Sequence, residues 1–251
     1  MTDHDRVMFV TGASRGIGAA VATLAATEGW RVGVGYRRER DAAEAVVRAC
    51  RESGSDALSV PLDVSNEQSV VDGFDAVTSG LGPITSLINN AGILFEVARL
   101  DEMPVERLRR VVEVNLIGAL LCAREAVRRM STRHGGSGGT IVNVGSAAAY
   151  LGSPAEFIDY AATKGALDTI TIGLAKEVAA EGIRVNCVRP GLIDTTIHAD
   201  AGVPDRVELL KTNIPMQRGG DPSEVADLIL YLAGERSSYV TGSLVNVSGG
   251  R

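Results

Sequence analysis

Short apolar runs alternate along the chain with longer stretches in which apolar residues return every three or four positions. "RVMFV" (6–10) precedes an Ala-rich helical pattern that closes at Gly29, and "RVGVGY" (31–36) precedes another over about residues 40–52. "ALSVPLDV" (57–64) leads into a helix from about Glu67 to Thr78, and "ITSLINN" (84–90) into a long helical pattern over about 104–130. "TIVNVGS" (140–146), "IRVNCVRP" (183–190) and "SLVNVSG" (243–249) bring the candidate strands to seven. Their near-continuous apolar character fits strands buried on both faces, hence a parallel sheet covered by helices. Repeated strand–helix alternation predicts a doubly wound α/β fold with right-handed crossovers. "DPSE" (221–224), an Asp cap with Pro in the first turn and Glu three residues on, marks the start of a further helix.

Two segments break the rhythm. "HGGSGG" (134–139) reads as a flexible loop feeding the fifth strand. The stretch from Leu192 to about Arg218 is a long insertion after a strand's carboxyl end, the edge where open α/β sheets bind ligands, so it is expected to form a substrate lid. A chain of 251 residues, 45% of them hydrophobic, can fold as one large domain spanning 1–251. Its 29 glycines, without fibrous periodicity, suggest many tight strand-to-helix turns.

A net charge of −6 and the absence of a long basic run argue against nucleic acid or an anionic membrane as the main partner. Cys50, Cys122 and Cys187 form no CxxC, and His4, His134 and His198 form no zinc-ligand cluster, so no metal site is expected. The start "MTDHDRVMFVTG" lacks the basic and apolar regions of a secretory signal, and no run of about 18 apolar residues occurs; a cytoplasmic protein is expected.

Candidate chemistry begins with "DYAATKGALDT" (159–169), where Tyr160 and Lys164 stand four positions apart and so share a helix face. A free tyrosine titrates near about 10. An ammonium about 4 Å away, at an effective dielectric of about 20, would favour the phenolate by roughly 4 kcal/mol. A phenol so placed can serve as a general acid and base near neutrality. The same spacing is also common as surface decoration, so the rest of the chain has to decide. "VTGASRGIG" places Gly12, Gly16 and Gly18 between the first strand and the first helix, where glycines permit a tight turn and a helix N-terminus can face a pyrophosphate.

With this loop, "NNAG" (89–92), Asn115, Ser146 and Tyr160-x-x-x-Lys164, the chain resembles the classical short-chain dehydrogenases/reductases from about Val7 to Gly250. Within that family "SAAAYLGSPAEFIDYAATKGALDT" and "NIPMQRGG" look most like the bacterial glucose-1-dehydrogenase-like branch, with the 3-oxoacyl-carrier-protein reductases next. The resemblance implies a Rossmann-type sheet of seven parallel strands with helices on both faces, and an oxidoreductase acting on a small carbonyl or alcohol. Tyr160 would donate a proton to the substrate carbonyl and accept it in the reverse direction. Lys164 would support the phenolate and hold the nicotinamide ribose, and Ser146 would fix the reacting oxygen. Asn115 would support a water leading to Lys164. Thirteen residues separate Ser146 from Tyr160 where many members have twelve, and Gly145 stands where Ser is frequent, so the substrate pocket is expected to be reshaped.

The same resemblance assigns Gly12, Ser14, Arg15, Gly16, Ile17 and Gly18 to the cofactor. Asp63 would meet the adenine amino group and Val64 its ring. Asn90, Ala91 and Gly92 would line the cleft beside them, and Pro190, Gly191, Ile193 and Thr195 would hold the nicotinamide end. An NAD enzyme of this fold normally ends its second strand with an acid. Here Tyr36, Arg37 and Arg38 occupy that place, and a guanidinium suits a 2′-phosphate, so the expected cofactor is NADP(H). Glu39, the nearest acid, is expected to have turned onto the next helix. The helices around "NLIGALLCAREAVRRM" and "YAATKGALDTITIGLAKEVA" are apolar over more than one face, and the resemblance implies that they pair in a homotetramer. The alternative of another class is a non-catalytic NADP(H)-sensing protein; intact Asn115, Ser146, Tyr160 and Lys164 argue against it, because a sensor needs no proton pathway.

Overall fold

The structure is a computed structural model that describes residues 6–251; the acidic lead "MTDHD", with His4, lies outside the described residues. Seven strands form one parallel sheet: β1 (Val7–Val10), β2 (Arg31–Tyr36), β3 (Ala57–Pro61), β4 (Ser86–Asn89), β5 (Gly139–Val144), β6 (Ile183–Pro190) and β7 (Leu244–Val247). Their order across the sheet is β3-β2-β1-β4-β5-β6-β7. The chain winds outward from β1 in one direction and from β4 in the other, and β1 pairs with β4 through Met8↔Ser86 and Val10↔Ile88. At such a switch point the two crossovers diverge and leave a crevice at the carboxyl ends of the strands.

Ten α-helices cover the sheet among the described residues: α1 (Gly16–Thr27), α2 (Arg40–Glu52), α3 (Glu67–Leu81), α4 (Val105–Val112), α5 (Gly118–Met130), α6 (Ala148–Leu151), α7 (Ile158–Val178), α8 (Ile197–Asp200), α9 (Arg206–Leu210) and α10 (Pro222–Ala233). Alternation along β1 shows how the layers form. Met8 and Val10 join the apolar cluster under α1, α2 and α10, while Val7 and Phe9 join the one under α3, α5 and α7. Both clusters are buried, which is why the strand sequences read as apolar throughout. The cap read from "DPSE" is present: Asp221 accepts from Ser223 N at 2.8 Å, and Glu224 accepts from Asp221 N at 2.8 Å.

Two expectations change. The long helix over 104–130 is not continuous, because α4 passes through a π-helical turn, Glu113–Ile117, before α5 begins. "HGGSGG" is packed rather than slack. Gly136 N donates to Ser131 O and Gly138 N to Met130 O, and a Cβ on Gly136 would stand 2.4 Å from the Met130 backbone. Glycine is required there by close approach of backbones, so the segment is a tight corner into β5. Among the described residues no helix is long and apolar enough to cross a membrane.

Candidate active site

The carboxyl ends of β1, β4, β5 and β6 open into a cavity of about 900 Å³. At one end the glycine loop closes it. Gly12 and Gly16 have φ of +64° and +57°, conformations that favour glycine, and a Cβ on Gly18 would lie 2.5 Å from Gly12 O. Asn90 fastens this loop by donating to Thr11 O at 2.9 Å and Gly12 O at 3.0 Å; Thr11 Oγ1 accepts from the backbone N–H groups of Asn90 and Ala91. No side chain caps the start of α1, and its first turn holds no acid. Free amides and the positive end of the helix dipole therefore face the cavity, as a pyrophosphate requires. The cradle fits a dinucleotide.

The second strand delivers Arg37, Arg38 and Glu39 to the cavity wall. Tyr36 is placed elsewhere: it is buried in the cluster beneath α1 and α2, because the last residue of β2 still belongs to the sheet. Glu39 has not joined the helix, being the residue that precedes α2, so a carboxylate does border the cavity. Arg37 Nε donates to Asp63 Oδ2 at 3.0 Å. Burial works against the Asp63 carboxylate, but hydrogen bonds from Ser65 together with Arg37 and Arg110 outweigh it and hold the group below the ordinary carboxylate range. Val64 and Gly92 continue the wall, and Gly18 packs behind it.

At the other end stand Ser146, Tyr160 and Lys164. The turn of α7 between the last two puts the Lys164 ammonium 5.5 Å from the Tyr160 ring centre. Lys164 is buried and donates from Nζ to Val144 O at 2.6 Å, where β5 ends two residues before Ser146. Ser146 Oγ accepts from Ala148 N at 3.1 Å, which leaves its own proton free to donate. Asn115 lies behind the wall in the π-helical turn. Its amide spans Ile93, donating to O at 2.9 Å and accepting from N at 2.8 Å, and its Nδ2 approaches Thr163 Oγ1 at 3.5 Å. A Cβ on Gly92 would stand 3.5 Å from Asn115 Oδ1 and 3.8 Å from Lys164 Nζ, so Gly92 borders the space between them.

The extra residue between Ser146 and Tyr160 is absorbed after α6, where Gly152, Ser153 and Ala155 take φ of +75°, +43° and +59°. Two of these are not glycine, a local strain next to the cavity. Opposite, the 192–218 segment carries α8 and α9 across the opening. Pro190, Gly191, Ile193 and Thr195 line its root, and Ile193 pairs with Gly220. Three contacts fasten it that sequence reading did not anticipate. His198 Nε2 meets Ile193 O at 3.1 Å, Arg206 grips Glu156 through 3.0 and 2.6 Å hydrogen bonds, and Arg15 forms an ion pair with Asp200. Only their chain positions, in an unusually long insertion beside a ligand edge, hinted at them. The three thiols are buried: desolvation pushes Cys122 and Cys187 up to about 12 and Cys50 to about 11, so none is a nucleophile near neutrality. Among the described residues no cluster could hold a metal ion.

Comparison with known proteins agrees with this architecture. A family model described as enoyl-(acyl carrier protein) reductase matches residues 12–251. The uncharacterized oxidoreductase YgfF of Escherichia coli strain K12 is 51% identical over 245 residues, covering 98% of this chain and 99% of that protein. The cis-4-hydroxycyclohexanecarboxylate dehydrogenase of Sinomonas cyclohexanicum is 40% identical, with 98% and 96% covered. A crystal structure of a short-chain type dehydrogenase/reductase from Mycobacterium marinum superposes with a TM-score of 0.91 at 35% identity, covering 98% of this chain and 96% of that one.

Proposed function

The chain belongs to the classical short-chain dehydrogenase/reductase family, and from that membership we propose that it is an NADP(H)-dependent oxidoreductase interconverting a carbonyl and a secondary alcohol. One observation carries the reading: Ser146, Tyr160 and Lys164 border the same cavity that the glycine loop closes at its far end. A nicotinamide bound between them would supply hydride to a carbonyl carbon, or take it from an alcohol. Gly12, Ser14, Arg15, Gly16 and Ile17 would hold the phosphates, Asp63 and Val64 the adenine, and Ile193 and Thr195 the nicotinamide side.

Tyr160 gives its phenolic proton to the carbonyl oxygen and takes it back in oxidation. Ser146, whose lone pair is already engaged by Ala148 N, donates to the same oxygen and so fixes it against the phenol. Lys164, pinned by Val144 O, is held beside the tyrosine ring, where it stabilises the anion left when the proton departs. The space bordered by Gly92, Asn115 and Lys164 suits a water through which the proton is replaced; a side chain at residue 92 would enter it. Arg15, Arg37 and Arg38 on the adenosine side favour a 2′-phosphate, although Glu39 shares that wall. The relative from Sinomonas cyclohexanicum, a dehydrogenase of a hydroxycyclohexane acid, supports a secondary alcohol as substrate.

The test is turnover of a panel of ketones, sugars and acyl thioesters followed by NADPH absorbance. Tyr160→Phe is expected to lower turnover of any accepted substrate by about 10²- to 10⁴-fold while cofactor binding persists. Turnover within about tenfold of wild type would remove Tyr160 from this role. Charge-assisted contacts to the 2′-phosphate predict a preference for NADPH over NADH of about 10- to 100-fold, and equal efficiencies would refute the choice of cofactor.

A further inference from the structure

Arg15, the cation nearest the glycine loop, is already occupied. Its Nη1 donates to Asp200 Oδ1 at 3.3 Å and its Nη2 bonds Oδ2, a two-pronged grip across a sequence separation of 185 residues. Arg15 and Asp200 both border the cavity, with side chains 50% and 43% exposed. Asp200 is the last residue of α8, whose His198 is tied to Ile193 O, so the pair joins the glycine loop to the 192–218 segment. Arg37, the other guanidinium on this wall with a defined partner, bonds Asp63 inside the main body of the fold and holds nothing of that segment.

We propose that Asp200 is a determinant of cofactor preference: its carboxylate occupies Arg15 in place of a 2′-phosphate, so a 2′-phosphorylated dinucleotide takes Arg15 from the lid and an unphosphorylated one does not. The inference rests on the NADP(H) reading above. Two anions compete for one fork of donors, and they are unequal. A carboxylate paired with an exposed guanidinium contributes little. A phosphate monoester carries a charge of about −1.5 to −2 and three acceptor oxygens, and binds a guanidinium bidentately. The phosphate therefore wins, but against a competitor, and the competition subtracts from its affinity. Once displaced, Asp200 faces a dianion, and like-charge repulsion drives the end of α8 away from the glycine loop. An unphosphorylated adenosine leaves the Arg15–Asp200 pair as it is.

The experiment uses the whole protein and two probes without a nicotinamide, adenosine 2′,5′-bisphosphate and 5′-AMP, titrated by calorimetry at low ionic strength. If wild type binds both equally, the NADP(H) reading fails, and the competition fails with it for want of a phosphate site. Given a wild-type preference for the bisphosphate, Asp200→Asn is expected to tighten the bisphosphate by about two- to fivefold and leave 5′-AMP unchanged. Asp200→Ser should do the same, because both remove the charge at a half-exposed position that no core packing depends on. Limited proteolysis of the 197–211 segment supplies a second readout. The bisphosphate should speed cleavage in wild type and 5′-AMP should not, and Asp200→Asn should be cleaved quickly without ligand. An unchanged or weaker affinity for the bisphosphate in the Asp200 variants, an equal gain for both probes, or cleavage insensitive to the bisphosphate overturns the inference while leaving the cofactor reading intact.

Discussion

Gly145 stands directly before Ser146, and its environment explains why the serine common at that place is missing. A Cβ there would meet Cys187 Sγ at 2.6 Å and Arg189 Cγ at 3.3 Å. Cys187 is held in turn, donating to Asp168 Oδ1 at 3.7 Å, while Arg189 clasps the same carboxylate through 2.9 and 2.7 Å hydrogen bonds. A bulky sulfur on β6 therefore demands a glycine immediately after β5. Gly145→Ser is expected to cost about 1–3 kcal/mol of stability and to displace Ser146, lowering turnover. Adding Cys187→Ala opens the space, so the double variant should be more stable than the sum of the single effects by about 0.5–3 kcal/mol. Denaturant unfolding of the four proteins measures this, and strict additivity would refute the coupling. At this scale the sequence exposes Ser146, Tyr160 and Lys164 because their spacing is itself the signal. It hides the Gly145–Cys187 pairing, which exists only through the β5–β6 register that sets Val144 opposite Val188. In sequence Tyr36 groups with its arginine neighbours because all three follow one another. Tyr36 is the last residue of β2 and packs into the core, whereas Arg37 and Arg38 lie beyond the strand's end, where the chain bends along the cavity.

Among elements, the interrupted α4–α5 helix and the 192–218 segment show where hydrophobic patterning stops being informative. The apolar period continues across Glu113–Ile117, so a π-helical turn that aims Asn115 at Ile93 cannot be told from continuous helix by pattern alone. The 192–218 segment is legible as an insertion after a strand's carboxyl end; the Arg15–Asp200 and Arg206–Glu156 contacts are not, since each joins residues far apart in sequence. His198 gives this element a pH dependence. Burial lowers its pKa below the ordinary 6.5, assisted by Arg206 and opposed by the Ile193 hydrogen bond and Asp194. The docked segment therefore binds fewer protons than the undocked one between the lowered value and 6.5. The contribution of His198 to docking is therefore full above 6.5 and weakens as pH falls through that window. Hydrogen exchange in α8 and α9 should accelerate relative to the sheet as pH drops from about 7 to about 5, after correction for the intrinsic rate. His198→Gln, which does not titrate, should flatten the profile. Corrected exchange that is equally flat in wild type would show that His198 does not govern docking.

On the scale of the molecule, the surface of α7 asks for a partner. Its outward stripe runs Ile158, Ala162, Gly165, Thr169, Ile172 and Gly173, a helical period of small and apolar residues on the side away from the sheet. Ile158 and Ile172 are each 38% exposed, and beside them on α4, the π-helical turn and α5 stand Val105, Val112, Ile117 and Leu120, all at least 40% exposed. Packing against the protein's own sheet consumes the opposite face of these helices and leaves this one uncovered. A Cβ on Gly173 would find nothing within 4 Å in its own chain, and one on Gly165 only Ala149 O at 3.9 Å. Neither glycine is required by the subunit's own packing, and each costs about 1 kcal/mol of helix propensity relative to alanine. We propose that close approach of a second subunit's helix supplies the reason: pairing of this face about one two-fold axis gives a dimer, and a second two-fold interface would join two dimers into a tetramer of dihedral symmetry. The expected state is a homotetramer by sedimentation at micromolar concentration. Gly173→Arg should break it into smaller species while each subunit keeps its helical content, because the new side chain has room in the isolated fold and none against a neighbour. A wild-type monomer, or a Gly173→Arg variant that assembles as wild type does, would move the interface away from α7.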